Sequence, residues 1–186
     1  TGYVFDGQKN SYYVEDDIPN PLNAYANSKL SGEFFVKNIN PNSFIIRIGG
    51  IYGTNPCRGK GGINFVLKVL KYNKENKEIK VTNDEYINPT YTTSISKQIL
   101  NIIKTNNFGL YHVAAHGYCS WYEFANYIFK KRGIKSKIIP VYNNKNNKKI
   151  KRPSFSALFS NKLEKMKIDV MLSWKEDIDN YLDKIE

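Results

Sequence analysis

Apolar residues along this chain recur with two spacings, one typical of buried strands and the other typical of helices. Continuous apolar runs such as 43–48 predict strands that a parallel sheet buries on both faces. Between these runs, apolar residues recur every three to four positions, which predicts helices with one buried side. The predicted strands are 43–48, 80–81, 109–115 and 138–142, and the predicted helices are 24–40, 63–70, 93–104, 120–129, 161–166 and a last one from about 173. This alternation predicts an α/β fold.

Polar residues stand at the predicted starts of several helices, where they can accept hydrogen bonds from the first free N–H groups. Asn23 is placed to cap the first helix, and Ser120 with Glu123 three residues later is the pattern of a capping box. Phe34 and Phe35 continue the apolar side of the first helix. We therefore expect both phenylalanines to be buried.

Three segments between these elements read as strand ends, turns or loops. Segment 1–7 combines β-favouring residues with Asp-Gly and predicts the end of a strand that runs into a turn. Segment 88–91 contains Asn-Pro and predicts a turn before the next helix. Segment 49–53 is rich in glycine and follows a buried strand, which is where open α/β sheets place their ligands. Turn geometry alone would also explain those glycines.

Charge and length change this picture only slightly. The chain has 186 residues, and 28 Lys and Arg against 17 Asp and Glu give a net charge of +11. Much of the excess is Lys interleaved with Asn, as in 71–77 and 143–149, instead of the clustered Arg typical of phosphate contacts. We therefore expect no nucleic-acid binding, although a modest positive field suits an anionic substrate. The cysteines, Cys57 and Cys119, lie in different segments, so reduced thiols are expected.

No apolar run approaches the eighteen or so residues that a membrane helix needs, so we expect a soluble, cytoplasmic protein without membrane contact.

The candidate chemistry lies at Tyr25 and Lys29, which are four residues apart at the start of a helix and therefore share one face. A cation beside a phenol favours the phenolate, which makes tyrosine a usable proton donor and acceptor. Surface decoration is the other interpretation, because any amphipathic helix has such pairs.

Several further segments, in the same order, show a family resemblance. They are Thr1 with 3–7, Tyr25-Ala26-Asn27-Ser28-Lys29, Asn64-Phe65-Val66, Asn88-Pro89-Thr90, 111–114, 120–125, Arg152-Pro153 and Ser156 with Leu158. Together they resemble the later part of the extended short-chain dehydrogenase/reductases, over essentially the whole chain. The resemblance implies a Rossmann-like, partial doubly wound sheet with a smaller α/β substrate-binding lobe. It places the active site in 1–58 and assigns 59–186 mainly to the lobe, from which some elements can return to the sheet.

The resemblance also implies roles for individual residues. Tyr25 would donate a proton to a sugar ketone as hydride arrives from NADH or NADPH, Lys29 would hold the nicotinamide ribose, and Thr1 would hydrogen-bond the carbonyl oxygen. The remaining candidates are Ile48 and Gly49 for the cofactor, and Tyr3, Gly50, Asn64 and Arg152 for the substrate. No metal is implied. His112 is expected to be a structural strand residue, because no ligand partner is suitably spaced.

Three positions depart from the family pattern. Gly2 stands where an acidic residue is usual, and Ser94 stands where the family has Asp. The loop 47–53 has Gly50 where an aromatic residue would pack on the sugar, which weakens the substrate assignment more than the fold. In addition, no glycine-rich dinucleotide motif occurs in the chain. We therefore expect a fragment that lacks most of the dinucleotide-binding half and is inactive alone.

The resemblance implies an NAD(P)H-dependent enzyme that reduces the C4 ketone of a nucleotide-linked deoxyhexose for polysaccharide biosynthesis. The expected partner is the nucleotide sugar, and the resemblance is compatible with a homodimer. Two other interpretations remain open. One is a sugar-nucleotide epimerase or dehydratase of the same superfamily, and the other is a non-catalytic regulatory or binding subunit built on the same scaffold.

Overall fold

The structure, a computed structural model, describes residues 1–55, 61–74, 78–142 and 150–185. Cys57 and the Asn/Lys-rich segment 143–149 lie outside the described residues. In chain order the elements are a 3₁₀ helix (Gly2–Val4), α1 (Ala24–Ile39), β1 (Phe44–Ile48), β2 (Gly50–Tyr52), α2 (Phe65–Lys74), β3 (Ile79–Thr82), β4 (Tyr86–Ile87), β5 (Pro89–Tyr91), α3 (Thr92–Ile103), β6 (Gly109–Val113), β7 (Cys119–Ser120), α4 (Trp121–Lys131), β8 (Ile138–Val141), α5 (Asn161–Met166) and α6 (Trp174–Leu182).

In the described part of the chain the strands pair two by two, and most pairs are parallel. β1 runs parallel to β6, with Phe44 opposite Gly109 and Ile48 opposite Val113. β2 pairs with β5 and β3 with β8 in the same sense, whereas β4 and β7 are antiparallel. Parallel pairs need long crossover connections, and here helices supply them. The predicted α/β fold is confirmed.

Side-chain caps fix the starts of the helices, as the sequence predicts. Asn23 Oδ1 accepts a hydrogen bond from Ala26 N at 2.9 Å at the start of α1. Ser120 and Glu123 form the capping box of α4, in which each side chain bonds the other residue's backbone N–H. These contacts satisfy N–H groups that have no partner within the helix.

The main core is aromatic and joins β2, β5, α4 and α6. The Tyr52 and Tyr91 rings stack with centroids 5.8 Å apart, and Tyr181 meets both of them edge-on. The predicted apolar side of α6 is confirmed, because four of its residues are buried: Trp174, Ile178, Tyr181 and Leu182. This core fixes the C-terminal ends of β2 and β5, where Tyr52 and Tyr91 lie.

Three local predictions are wrong. Segment 1–7 forms a 3₁₀ turn and not a strand, because Thr1 Oγ caps Tyr3 N and Val4 N bonds Thr1 O. Segment 88–91 is not merely a turn, because β5 pairs there with β2. Phe34 and Phe35 are 63% and 60% exposed, since none of the described residues packs over that side of α1.

Within the described residues, no helix combines the length and the apolar character that crossing a membrane requires.

Candidate active site

The first turns of α1 present Tyr25 and Lys29 on one face, as their spacing predicts. The Lys29 ammonium lies over the Tyr25 ring, 5.6 Å from its centroid. Tyr25 is 53% exposed, and Lys29 is exposed as well. A phenol that solvent and substrate can reach therefore lies beside a positive charge.

The 3₁₀ turn brings Thr1 and Tyr3 to the same end of α1. The Tyr3 ring meets the Tyr25 ring edge-on, with centroids 6.4 Å apart and planes at 87°. Thr1 Oγ accepts a hydrogen bond from Tyr3 N at 3.3 Å. Three residues predicted for catalysis and one predicted for substrate binding are thus brought together.

Tyr3 is surrounded by charged groups from distant parts of the chain. Burial raises the pKa of the Tyr3 phenol, Glu85 raises it further, and Arg152 partly offsets this by lowering it. Tyr3 is therefore a neutral hydrogen-bonding phenol at physiological pH. Glu85 is only 6% exposed, whereas Arg152 is exposed at the surface. Arg152, predicted to contact substrate, thus lies near Tyr3.

The backbone segment 151–156, which contains Arg152, connects the start of α1 to β4. Asn23 Nδ2 donates to Lys151 O at 2.9 Å, and Ser156 N donates to Tyr86 O at 2.9 Å. Gly2 lies directly against this segment, and a Cβ there would collide with the carbonyl oxygen of Ser156. A side chain at position 2 would therefore require the backbone to move, which gives a physical reason for glycine at a position where the family usually has an acid.

Gly49 and Gly50, which follow the C-terminal end of β1, allow neighbouring residues to approach the backbone closely. A Cβ at Gly49 would lie 2.6 Å from Asn88 O, and one at Gly50 would lie 2.8 Å from Ile87 Cδ1. Neither glycine is among those with positive φ. Turn geometry therefore does not explain them. The Cη2 atom of Trp121 lies 3.6 Å from the same point at Gly50, so Ile87 and Trp121 border the place where the family pattern has an aromatic residue.

Asn64 and Ile48 lie apart from the group formed by Thr1, Tyr3, Tyr25 and Lys29. Asn64 is 6% exposed; its Nδ2 donates to Gly53 O and to Tyr181 OH, each at 2.8 Å, and its Oδ1 accepts from Leu67 N. Its amide therefore holds the start of α2 to the core, and the structure does not bring it to Tyr25. Ile48 is half-buried in β1, where it packs on the cluster under α3.

Sequence reasoning missed two carboxylates near the site. Glu33 follows Lys29 by one helical turn, and its two oxygens bind Arg47 of β1. The spacing of Tyr25, Lys29 and Glu33 by four residues was a signal for this face. Glu85 had no comparable signal, because only the fold brings β4 to Tyr3.

Two other side chains with reactive groups, Cys119 and His112, are both buried. Burial raises the pKa of the Cys119 thiol far above its usual range, so it carries no thiolate. His112 is buried and bonded to backbone carbonyls, in agreement with its expected structural role. In the described ranges, no group of three His, Cys, Asp or Glu side chains is arranged to hold a metal ion.

A phenol and an ammonium at the start of a helix, a threonine beside them and parallel strands behind them are the features of a short-chain dehydrogenase/reductase. The profile of the RmlD substrate binding domain matches residues 1–186. The chain belongs to this family, and the predicted resemblance is confirmed.

Relatives with known names agree with this assignment. The chain is 34% identical over 182 residues to the spore coat polysaccharide biosynthesis protein SpsK of Bacillus subtilis, which covers 98% of this chain and 62% of that protein. It is 32% identical to the dTDP-4-dehydrorhamnose reductase of Sinorhizobium fredii, with 95% of this chain and 61% of that protein covered. The chain therefore spans about three fifths of the length of these relatives.

Solved structures show the same likeness. The crystal structure of a dTDP-4-dehydrorhamnose reductase from Clostridium acetobutylicum superposes with a TM-score of 0.90 at 36% identity, covering 99% of this chain and 63% of that one. The reductase from Bacillus anthracis, in complex with NADP, has a TM-score of 0.90 at 34% identity and covers 98% and 63%. A UDP-glucuronic acid 4-epimerase from Bacillus cereus, at 17% identity and a TM-score of 0.73, shares the fold.

Proposed function

We propose that this chain is the catalytic and substrate-binding part of an NADPH- or NADH-dependent reductase that converts dTDP-4-dehydrorhamnose into dTDP-rhamnose. The observation that carries the proposal is the Lys29 ammonium 5.6 Å from the centroid of the exposed Tyr25 ring, with Thr1 and Tyr3 beside them. The names of the relatives, which include dTDP-4-dehydrorhamnose reductases, support this substrate.

Tyr25 is proposed as the proton donor. Reduction of a ketone adds hydride to carbon and a proton to oxygen, so the developing alkoxide needs an acid within hydrogen-bonding distance. The exposed Tyr25 hydroxyl can reach a bound sugar, and the Lys29 ammonium stabilises the phenolate that remains. Thr1 lies beside them with a hydroxyl that can donate to the same ketone oxygen. A hydrogen bond to the forming alkoxide stabilises the transition state more than the ketone.

The residues at this end of the fold fit a nicotinamide dinucleotide. Lys29 is an exposed cation with donors for ribose hydroxyls, and Gly49 lies at the C-terminal end of a parallel strand, where such ligands bind. When bound, the dinucleotide supplies the hydride. Lys29 and Tyr25 would hold its ribose end, with Ile48 and Gly49 beside them.

The nucleotide sugar carries a diphosphate, and this edge of the molecule offers a cation for it. Arg152 is exposed near Tyr3, and a guanidinium binds phosphate oxygens with two parallel hydrogen bonds. Tyr3 is held as a neutral phenol that can donate to a sugar hydroxyl or accept from one. Gly50, bordered by Ile87 and Trp121, is proposed to lie along the sugar. The Asn64 amide is already bonded within the fold, so a contact with the substrate would compete with these bonds.

The test is a kinetic comparison in the full-length protein. With dTDP-4-dehydrorhamnose and NADPH, we expect oxidation of the cofactor and formation of the alcohol. Tyr25→Phe should lower kcat by about 10²- to 10⁴-fold, which is the usual contribution of a positioned acid. Tyr142→Phe changes a tyrosine that is 69% exposed and should leave kcat unchanged. A parent without turnover, or equal rates for Tyr25→Phe and the parent, would refute the proposal.

The same assay separates reduction from epimerisation. A reductase consumes one NADPH for each sugar converted, whereas an epimerase regenerates its cofactor in every turnover and consumes none. We expect stoichiometric consumption. Conversion of a nucleotide sugar without net oxidation of the cofactor would instead support the epimerase reading.

A further inference from the structure

Glu33 and Arg47 form a nearly buried ion pair that ties α1 to β1. Arg47 Nε lies 3.0 Å from Glu33 Oε1, and Arg47 Nη2 lies 2.7 Å from Oε2. The side chains are 4% and 15% exposed. Two parallel N–H···O bonds of this kind fix both distance and orientation, because the guanidinium and the carboxylate are each planar.

Arg47 is itself held from two further sides. Its guanidinium carbon lies 5.1 Å from the centroid of the Phe5 ring, and its Nη1 lies 3.4 Å from His112 Nε2. Phe5 directly follows the 3₁₀ turn that carries Thr1 and Tyr3, and His112 lies on β6. Arg47 therefore connects Glu33 to the segment that holds Thr1 and to the paired strands behind it.

The rest of α1 is weakly anchored. Within this 16-residue helix, Ala26 is buried and Leu30 packs against the core around Phe5, whereas three apolar residues further along are exposed: Phe34, Phe35 and Ile39. Apolar burial therefore helps to set the rotation of the first half of α1, whereas the second half has no such contact among the described residues. Another contact has to set the rotation of that half. An ion pair one helical turn beyond Lys29 can set it, because a rotation of the helix would pull the carboxylate out of the plane of the guanidinium.

We propose that Glu33 is a positioning residue whose carboxylate, clamped by Arg47, sets the rotation of α1 and thereby the places of Tyr25 and Lys29 relative to Thr1. This inference rests on the proposed function. Glu33 touches neither substrate nor cofactor in this role. It acts through the helix, so its loss should reduce the rate of the chemical step more than the binding of the nucleotide sugar. Misplacement of a reacting group by about 1 Å can cost as much as 100-fold in rate.

The test compares Glu33→Gln, Glu33→Asp and a control in the full-length protein. Glu33→Gln keeps the shape and removes the charge, and Glu33→Asp keeps the charge on a shorter arm. Breaking a buried pair also destabilises a fold, so the control must lose stability elsewhere. Ile128→Ala serves this purpose, because Ile128 is fully buried in the aromatic core and lies on α4. The assay temperature is set well below the melting temperature of every variant.

We expect Glu33→Gln to lower kcat by about tenfold or more while the KM for the nucleotide sugar stays within about twofold. Glu33→Asp should recover part of the lost kcat, and amide hydrogen exchange should quicken along α1 in Glu33→Gln but not in Ile128→Ala. A fall in kcat no larger than in the control, or unchanged exchange along α1, would overturn the positioning role alone. A parent protein that reduces no nucleotide sugar would refute the proposed function instead.

Discussion

The imidazole of His112 lies against the guanidinium of Arg47, with Nε2 and Nη1 3.4 Å apart. On the other side of the ring, Nδ1 lies 3.1 Å from the carbonyl oxygens of both Tyr13 and Phe159. Carbonyl oxygens only accept hydrogen bonds, so the proton belongs on Nδ1 and Nε2 is left as the acceptor for Arg47. A neutral His112 therefore supports Arg47, which in turn holds Glu33.

Protonation of His112 should destabilise the fold. Burial lowers the pKa of His112 to about 4; Glu15 raises it in part, and Arg47 lowers it further. Since the unfolded chain titrates near 6.5, it binds more protons than the folded chain between about pH 6.5 and pH 4. The stability from neutral His112 is thus fully present above about pH 6.5 and is lost as the pH falls toward 4. Urea unfolding at several pH values measures this slope.

The variant His112→Gln isolates this contribution to stability, because all other titratable groups are the same in the parent and in the variant. The variant should be less stable at pH 7 and should lose less stability between pH 6.5 and pH 4. His116 serves as a contrast, because its hydrogen bond to Asp169 raises its pKa. Its stabilisation is present at low pH and is lost as the pH rises through that higher value. Parallel pH profiles for the parent and His112→Gln would contradict the assignment of the neutral tautomer.

Removal of the hydroxyl group should lower the free energy of unfolding at Tyr181 but not at Tyr52. The Tyr52 hydroxyl is buried and has no hydrogen-bond partner among the residues that the structure describes, whereas the Tyr181 hydroxyl accepts from Asn64 Nδ2 at 2.8 Å. Burying an unpaired hydroxyl costs free energy, so Tyr52→Phe should leave the free energy of unfolding within about 0.5 kcal/mol of the parent or increase it. Tyr181→Phe should lower it by about 1–2 kcal/mol. Urea unfolding of the matched pair measures the difference, and equal losses would show that Tyr52 is bonded in solution.

Local patterns in the sequence predicted those parts of the fold that depend on neighbouring residues. The run at Phe44–Ile48, the caps at Asn23 and Ser120 and the buried side of α6 all follow from residues close in the chain. The Tyr25–Lys29 face is local too, and the structure places both side chains on one face, as their spacing predicts. Such features are set by helix and strand periodicity, which a sequence carries directly.

Parts of the site that depend on distant contacts could not be predicted in this way. Ser156 lies 154 positions from Gly2, yet its carbonyl oxygen excludes a side chain there. Glu85 reaches Tyr3 only because β4 pairs with β7 and bonds the segment after Arg152. The prediction of a strand end at 1–7 was wrong because of a local contact, since the Thr1 hydroxyl caps a 3₁₀ turn there.

Asn88 should be among the most sensitive positions of the fold. It is fully buried, and its Nδ2 donates to Ala115 O at 3.0 Å and Gly117 O at 2.8 Å, while its Oδ1 accepts from Leu158 N at 2.6 Å. Asn88→Ala leaves these backbone groups without partners, and each such group costs about 1–3 kcal/mol. We expect a loss of at least about 3 kcal/mol in the free energy of unfolding.

Asn38→Ala provides the control for Asn88→Ala, because Asn38 is exposed and its side chain donates to Phe34 O in the preceding turn of its own helix. It should change the free energy of unfolding by no more than about 0.5 kcal/mol. Similar losses for the two variants in urea unfolding would mean that the backbone around Asn88 finds other partners.

The two capping boxes should differ in strength, because one is buried and has an additional hydrogen bond. Ser120 Oγ accepts from Glu123 N at 3.0 Å and also donates to Asn83 Oδ1 at 2.7 Å, where it is fully buried. Ser120→Ala removes both bonds and should cost about 1–2 kcal/mol in thermal or urea unfolding. Ser120→Thr keeps the hydroxyl and should retain most of that stability. The second capping box is at the start of α6, where Ser173 Oγ accepts from Glu176 N at 3.3 Å in a more exposed position. Ser173→Ala should cost less, so equal losses at the two serines would show that the bond to Asn83 contributes nothing.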